Sequence, residues 1–384
     1  MKRKFLAFTG GRSDYDLMSG VFAAIHQSTD MELGLVVTGT HLSTKHGQTI
    51  KEIQKDGFNI VGQIQTLENS DSTNSRAIAA GRILSQGGQL VESWKPDAIL
   101  FAGDREEVIA ASVLATYLAI PSIHFYGGDH ASDGNTDNPI RHATSKLSSL
   151  HFVTIPEHRD RLVKMGELKS RIFVTGNPAI DRFKSIPVMS QADVLKAMNR
   201  PNFKEYAVVV FHPEITSYKE AGKQTNTILE ALHKKKMPAF VSAPNSDPGN
   251  FAILAEMERW KSNELFSFYS NLERGLFVNL LRNSRLLIGN SSLGLLEAPS
   301  IPLPVVNVGA RQRGRLAAKN VIFVEAEQAA VKNAIEQALS PDMREDLKGI
   351  ENPYGDGHSI PRILEALKTI DLNKYLLKTE DALK

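Results

Sequence analysis

The sequence predicts an α/β protein of two similar domains facing a cleft. Three observations carry this. An apolar strand, a polar turn and a helix recur in both halves, as in KFLAFTGGRSDYDLMSGVFAAIHQ (4–27) and LLIGNSSLGLLEA (286–298); such units build α/β folds. The length, 384 residues, fits two to three domains with large cores. Residues 184–203 read as a linker in which Pro187 and Pro201 flank an amphipathic helix. The expected domains are 1–185 and 204–360, followed by a C-terminal helix, 361–384, that crosses back to the first.

Composition narrows the function classes. Hydrophobic content of 42% with 23% charged residues fits a soluble globular chain. A net charge of +2 without a dense basic run argues against nucleic-acid binding, since HKKKM (233–237) reads as a solvated helix end. With no cysteine, disulfides and thiolate metal sites are impossible. MKRKFLAFTGG lacks the long apolar core and small-residue cleavage site of a signal peptide and reads as a first strand and turn. No 18-residue apolar run exists, so no membrane span is expected and the cytoplasm is the expected compartment.

In chain order, the first strand ends in a Gly-Gly turn with Arg12 at its carboxyl end, the edge where open parallel sheets bind ligands. A surface arginine capping a helix accounts for this turn equally well. Residues 31–58 give strand two, a polar loop containing His41, and a helix; 73–94 is a long helical pattern. Strand AILFAG (98–103) ends at Asp104 and Arg105, and Asp104 reads either as an N-cap or as a functional carboxylate. After strand 120–125 comes the densest polar stretch, with Asp129, His130, Asp133, Asp137, Arg141, His142 and Lys146. Its spacing matches neither a calcium loop nor a zinc site, and no metal is expected.

The second half opens with YAVVVFHPEI (206–215), where His212 ends an apolar strand. AFVSAPNSDPGN (239–250) ends a further strand in a turn containing Asn245. LLIG (286–289) leads into Asn290, Ser291 and Ser292, then a helix expected over Leu293–Ala298 and stopped by Pro299. Unpaired N–H groups where that helix begins suit a phosphate. Glu297 stands where a carboxylate accepts from ribose hydroxyls. A capping serine and a solvated glutamate fit the same residues. Strand PVVNV (304–308) precedes Arg311-Gln312-Arg313-Gly314-Arg315, whose guanidiniums suit phosphates or sugar oxygens, or form a basic surface loop.

Together these motifs resemble the hydrolysing UDP-N-acetylglucosamine 2-epimerases of bacterial sialic-acid synthesis. The resemblance runs from residue 4 to about residue 360, through GGRSDY, TGTHLSTKHGQT, GDREE, IRHATSKLS, FHP, GNSSLGLLEAP, RQRGR and NPYGDG. It implies two Rossmann-like domains in a glycosyltransferase-B-like arrangement. It also implies catalytic carboxylates at Asp104, Asp129 and Asp137. Arg12, His41, Arg105, Arg141, His212, Asn245, Ser291, Ser292, Glu297, Arg311 and Arg313 become substrate-binding candidates. The implied substrate is a UDP-sugar, with no cofactor, and the implied assembly is a homodimer or homotetramer. One departure stands out: Asp129 occupies a place where the family has Glu, and the loop to Asp137 is longer than in some members.

The implied chemistry is elimination of UDP to a 2-acetamidoglycal, then hydration to N-acetylmannosamine with inversion at C2. Two protonation tasks on opposite faces need at least two acid/base groups. Three alternatives stay open. One is the same chemistry on UDP- or GDP-linked diacetylbacillosamine. Another is a non-hydrolysing epimerase. The third is a sugar-nucleotide-binding regulator without catalysis.

Overall fold

The computed structural model describes residues 2–68, 72 and 74–381. The chain forms two compact units. The first comprises 1–129, 136–182 and 354–384; the second comprises 130–135 and 183–353.

In the first unit the strands are β1 (Arg3–Thr9), β2 (Met31–Thr38), β3 (Asn59–Ile64), β4 (Ala98–Ala102), β5 (Ser122–Phe125), β6 (Leu150–Val153) and β7 (Ile172–Val174). They form one parallel sheet in the order β3-β2-β1-β4-β5-β6-β7. Register runs Arg3↔Met31 to Thr9↔Val37 between β1 and β2, and Phe5↔Ala98 to Ala7↔Leu100 between β1 and β4. Side chains alternate across a strand. Phe5 and Ala7 therefore join one core with Tyr15, Phe22 and Ile363. Leu6 and Phe8 join the other, with Ile83, Val91 and Leu114. Burial on both faces explains why β1 reads as a continuous apolar run.

The second unit contains β8 (Ala207–Val210), β9 (Ala239–Ser242), β10 (Phe266–Tyr269), β11 (Leu286–Gly289), β12 (Val305–Val308) and β13 (Val321–Val324). These are also parallel, in the order β10-β9-β8-β11-β12-β13. Val209 packs into one core with Ile228 and Ile335. Val208 and Val210 pack into the other, with Phe240 and Leu281. The α/β class of both halves is thus as the sequence predicts.

Several elements differ from expectation. The helix after β11 is only Leu293–Leu296, and Pro299 sits inside a following 3-10 turn, Ala298–Ser300, rather than after a helix end. The 73–94 pattern is the helix Asn74–Trp94; Thr73 lies outside the described residues. The single C-terminal helix becomes two, Ser359–Thr369 and Leu372–Leu376, and 382–384 lie outside the described residues. The helix between the two prolines is Gln191–Ala197, and its Val194 and Leu195 join a core of the second unit. The polar run after Thr136 is a helix, Asp137–Leu147, and β3 and β10 were absent from the sequence reading. No helix among the described residues is long and apolar enough to cross a membrane.

Candidate active site

In each sheet the strand order reverses once: between β1 and β4, and between β8 and β11. Ligands of open α/β sheets bind outside the carboxyl ends of the strands at such a switch point. The sequence-predicted residues follow these four strands or lie on loops and helices near them.

In the first unit the turn after β1 is built on Asp14. Its carboxylate accepts from Gly11 N at 2.8 Å, Gly10 N at 3.2 Å and Thr9 Oγ1 at 2.6 Å. Gly39, with φ +58°, packs so closely that a Cβ there would lie 2.2 Å from the Gly10 carbonyl oxygen, an approach only glycine allows. Arg12 projects from the turn, its Nε 3.3 Å from Asp16. His41 lies in the 3-10 turn Gly39–Leu42 that follows β2. It is wholly buried under the turn after β1, with Nε2 2.9 Å from Thr9 Oγ1 and Nδ1 2.7 Å from Thr49 Oγ1. Burial lowers its pKa to about 4, so it is a neutral strut of the turn. Two hydroxyls within reach thus meet both ring nitrogens.

After β4 the chain turns at Gly103 (φ +92°) into Asp104 and Arg105. Asp104 is ion-paired to Arg141 Nη2. The same guanidinium donates from Nη1 to the Asp129 carbonyl at 3.2 Å and to Asn138 Oδ1 at 3.1 Å. One arginine therefore ties the turn after β4 to the turn after β5. Asp137, at the start of the helix Asp137–Leu147, pairs with Arg76 Nη1 at 3.1 Å, and Arg76 Nε donates to Glu106 at 2.9 Å. Arg105 lies beside Glu106 at 3.9 Å. The structure thus joins Asp104, Arg141 and the Asp129 backbone in one set of contacts, and Asp137, Arg76, Glu106 and Arg105 in a second.

Sequence reasoning missed five residues around these contacts. Arg76 bridges Asp137 and Glu106 from a helix distant in sequence, which no local motif could signal. His124 donates from Nε2 to the Gly103 carbonyl at 2.8 Å, and its Nδ1 lies 3.0 Å from Ser145 Oγ; burial holds it neutral, with a pKa of about 3. Glu107 is buried against Gly10, and desolvation with the nearby charges of Glu106 and Asp14 raises its pKa to about 8. Asp14 is raised to about 6, chiefly by burial. His158 stands 3.4 Å from Asp129 Oδ1.

In the second unit the hub is Asn290, fully buried at the end of β11. Its Oδ1 accepts from His212 N at 2.8 Å and its Nδ2 donates to the His212 carbonyl at 2.9 Å. The strands approach closely here: a Cβ on Gly289 would lie 2.0 Å from the Val210 carbonyl oxygen. His212 Nδ1 accepts from Asn245 N at 3.2 Å, which leaves the ring proton of the neutral imidazole on Nε2. Asn245 itself is tied to Asp247 across its turn.

The Asn290 carbonyl accepts from Arg311 Nη1 at 3.2 Å and Gln312 Nε2 at 3.0 Å. Glu214 fixes that loop by accepting from Ala310 N and Arg311 N at 2.9 and 3.0 Å. Ser291 and Ser292 follow Asn290 and are half-buried. Glu297 is buried with its Oε2 3.6 Å from Arg274 Nη2, not solvated. Arg313 goes a different way from Arg311, pairing with Glu325 at 2.7 Å on the surface.

Two open parallel α/β sheets, each carrying polar turns at its switch point, define the doubly wound α/β class, whose ligands bind at that edge. Residues 23–368 match the family model described as UDP-N-acetylglucosamine 2-epimerase, and the chain belongs to that family. It is 34% identical over 378 residues, 98% of each chain, to the UDP-N,N'-diacetylbacillosamine 2-epimerase (hydrolyzing) of Legionella pneumophila. It is 30% identical over 381 residues, again 98% of each, to the GDP/UDP-N,N'-diacetylbacillosamine 2-epimerase (hydrolyzing) of Campylobacter jejuni. Among solved structures, its fold resembles the UDP-GlcNAc 2-epimerase of Neisseria meningitidis bound to UDP-GlcNAc. That likeness has a TM-score of 0.81 at 22% identity and covers 96% of this chain and 100% of that one.

Proposed function

We propose that the protein is a hydrolysing 2-epimerase of a UDP-linked 2-acetamido sugar. The observation that carries this is the arrangement of held carboxylates, in which Arg141 ties Asp104 to the Asp129 turn and Arg76 holds Asp137, in a chain matching hydrolysing relatives over nearly its whole length.

The C2–H of a sugar nucleotide has no adjacent carbonyl to stabilise a carbanion. Loss of the C1–O bond to UDP must therefore accompany its removal. A carboxylate among Asp104, Asp129 and Asp137 takes the C2 proton while C1 gains oxocarbenium character, and a 2-acetamidoglycal and UDP result. Water then adds at C1, and a second acid delivers a proton to C2 on the other face. Positive groups and N–H donors must meet the charge that develops on the leaving diphosphate. His212 through its Nε2–H, Arg311, and the backbone at Ser291 and Ser292 are suited to that, with Asn245 fixing the His212 ring. Glu297, fixed by Arg274, suits the ribose hydroxyls. Arg12 and Arg105 suit the sugar or phosphate; Arg313 suits an outer phosphate contact once Glu325 releases it. His41 supports this chemistry from beneath the turn after β1.

Two sugars compete. UDP-N-acetylglucosamine gives N-acetylmannosamine, a precursor of sialic-acid-type sugars. UDP-diacetylbacillosamine gives the corresponding 2,4-diacetamido product, and the names of the Legionella and Campylobacter relatives favour it. Incubation with each in deuterated water tests both. The expected result is UDP and a free C2-inverted sugar deuterated at C2, and the ratio of kcat/KM selects the substrate. UDP-linked product as the end point would replace hydrolysis with simple epimerisation. UDP binding without turnover of either sugar would overturn the enzymatic reading.

A further inference from the structure

The turn after β5 reads Tyr126-Gly127-Gly128-Asp129, and the helix Pro156–Lys164 begins directly against it. Gly128 has φ +76°, and a Cβ there would lie 2.2 Å from the His158 carbonyl oxygen. No other residue allows the helix so near. The approach puts His158 Nε2 3.4 Å from Asp129 Oδ1, with both side chains about 5% exposed. The other ring nitrogen, Nδ1, lies 2.9 Å from Thr154 Oγ1, itself buried. The Tyr354 ring packs on the imidazole with centroids 6.2 Å apart. The turn is braced on both sides. Arg161, one helical turn on, donates to the Gly128 carbonyl, and Arg141 donates to the Asp129 carbonyl at 3.2 Å.

We propose that His158 is a positioning residue for the reaction: fixed by Thr154 and Tyr354, it orients the Asp129 carboxylate through Oδ1. The inference rests on the reading of Asp129 as an acid/base group. Its chemistry is that of a buried hydroxyl–imidazole–carboxylate chain. The hydroxyl sets the ring tautomer, and the ring holds the acid in one rotamer. A short side chain such as Asp reaches its target from few rotamers, and a displacement of about 1 Å costs up to about 100-fold in rate. An imidazole fixed at Nδ1 by Thr154, with Nε2 3.4 Å from the carboxylate, supplies the restraint that packing alone would not give so small a group.

The test uses the full-length protein and whichever UDP-sugar it turns over better. His158→Phe keeps the ring and its packing on Tyr354 but loses both nitrogens. It is expected to lower kcat about 10- to 100-fold with KM and UDP affinity nearly unchanged. His158→Gln, which retains an N–H donor, restores most of the loss. Thr154→Val lowers kcat in the same direction by less. In an Asp129→Asn background His158→Phe changes kcat by no more than about twofold, because the two act as one unit. If His158→Phe does not fold by thermal unfolding, His158→Gln and Thr154→Val decide: unaltered kcat in Thr154→Val with loss in His158→Gln would overturn the chain. Full activity in His158→Phe beside a collapsed Asp129→Asn would overturn this inference alone. Full activity in Asp129→Asn would instead remove Asp129 from the chemistry.

Discussion

Asp104 and Glu107 stand three residues apart after β4 and are held in opposite ways. Asp104 is ion-paired to Arg141, which fixes the carboxylate where the chain leaves β4. Asp104→Asn keeps the size and most hydrogen bonding but cannot act as a base. The expected outcome is a kcat loss of ~10²–10⁴ with UDP affinity by calorimetry within roughly threefold; an equal fall in affinity would make Asp104 a folding or nucleotide residue. Glu107 is buried, and desolvation comes first among the causes that raise its pKa from 4.5 to about 8; Glu106 and Asp14 add to it, and Arg105 opposes. The folded state therefore holds a proton that the unfolded state releases as pH climbs through that window. Stability is unaffected by this group below about pH 4.5 and declines as pH rises to about 8. Asp14, raised to about 6, contributes in the same sense over a lower window. Glu107→Gln should flatten that decline and be the more stable protein above about pH 8, by an amount on the order of a few kcal/mol. Urea unfolding at several pH values measures it; parallel curves for the two proteins would show that Glu107 is charged in the fold. Little of this was legible in the sequence. A carboxylate's burial depends on what the fold stacks against it, here Gly10 in the turn after β1, some ninety-seven positions away by numbering. The burial of His41 was hidden for the same reason: a loop motif does not reveal that Thr9 and Thr49 enclose the ring.

Among elements, the strand ends decide where the chemistry can lie. Gly289 has φ +142°, and a Cβ there would overlap the Val210 carbonyl oxygen at 2.0 Å. Gly289→Ala must push β11 from β8 or twist the turn, and a residue held in such a conformation costs about 1–3 kcal/mol before any overlap is counted. Because Asn290 carries both hydrogen bonds to the His212 backbone, the same displacement should weaken UDP binding. The expected outcome is a lowered unfolding midpoint together with reduced UDP affinity by calorimetry; intact affinity would separate the Asn290 hub from nucleotide binding. The buried strands were legible because both faces are covered, which leaves runs such as AVVV and LLIG. The helix Asp137–Leu147 was not. Its buried face is Asn138, Arg141, Thr144 and Ser145, a polar face turned inward, so a hydrophobic periodicity has nothing to detect. β3 and β10 were missed as edge strands with mixed burial. Their sequences lack the continuous apolar run of a central strand.

At the scale of the whole molecule, residues 354–381 belong to the unit that the chain builds first. Ile363 and Leu367 are fully or nearly fully buried in the core that contains Phe5, Tyr15 and Phe22. Arg3 Nη1 donates to the Ile370 carbonyl at 3.0 Å. Further on, Lys378 Nζ reaches Glu167 at 2.6 Å, and Arg171 donates to the Tyr375 and Leu377 carbonyls at 2.8 and 2.7 Å. Glu167 also accepts from Lys146 at 2.7 Å and meets His151 at 3.0 Å. These cations and hydrogen bonds hold its pKa down to about 2 against the opposing effect of burial. The first unit thus closes only when residues beyond Pro353 arrive. A chain ending at Pro353 should expose the apolar surface around Tyr15 and Phe22 and strip Glu167 of one of its cations. It should be recovered largely as aggregate, or should unfold in urea with an early transition from the first unit. Leu367→Ala tests the same contact more gently. Removing a fully buried leucine side chain costs about 2–5 kcal/mol. Two compact units allow two unfolding transitions, so the loss should appear in one of them. Leu280→Ala, placed in a core of the second unit, should move the other transition and leave the first in place. If Leu367→Ala and Leu280→Ala shift a single common transition by the same route, the two units unfold together and the C-terminal segment is no more the first unit's than the second's.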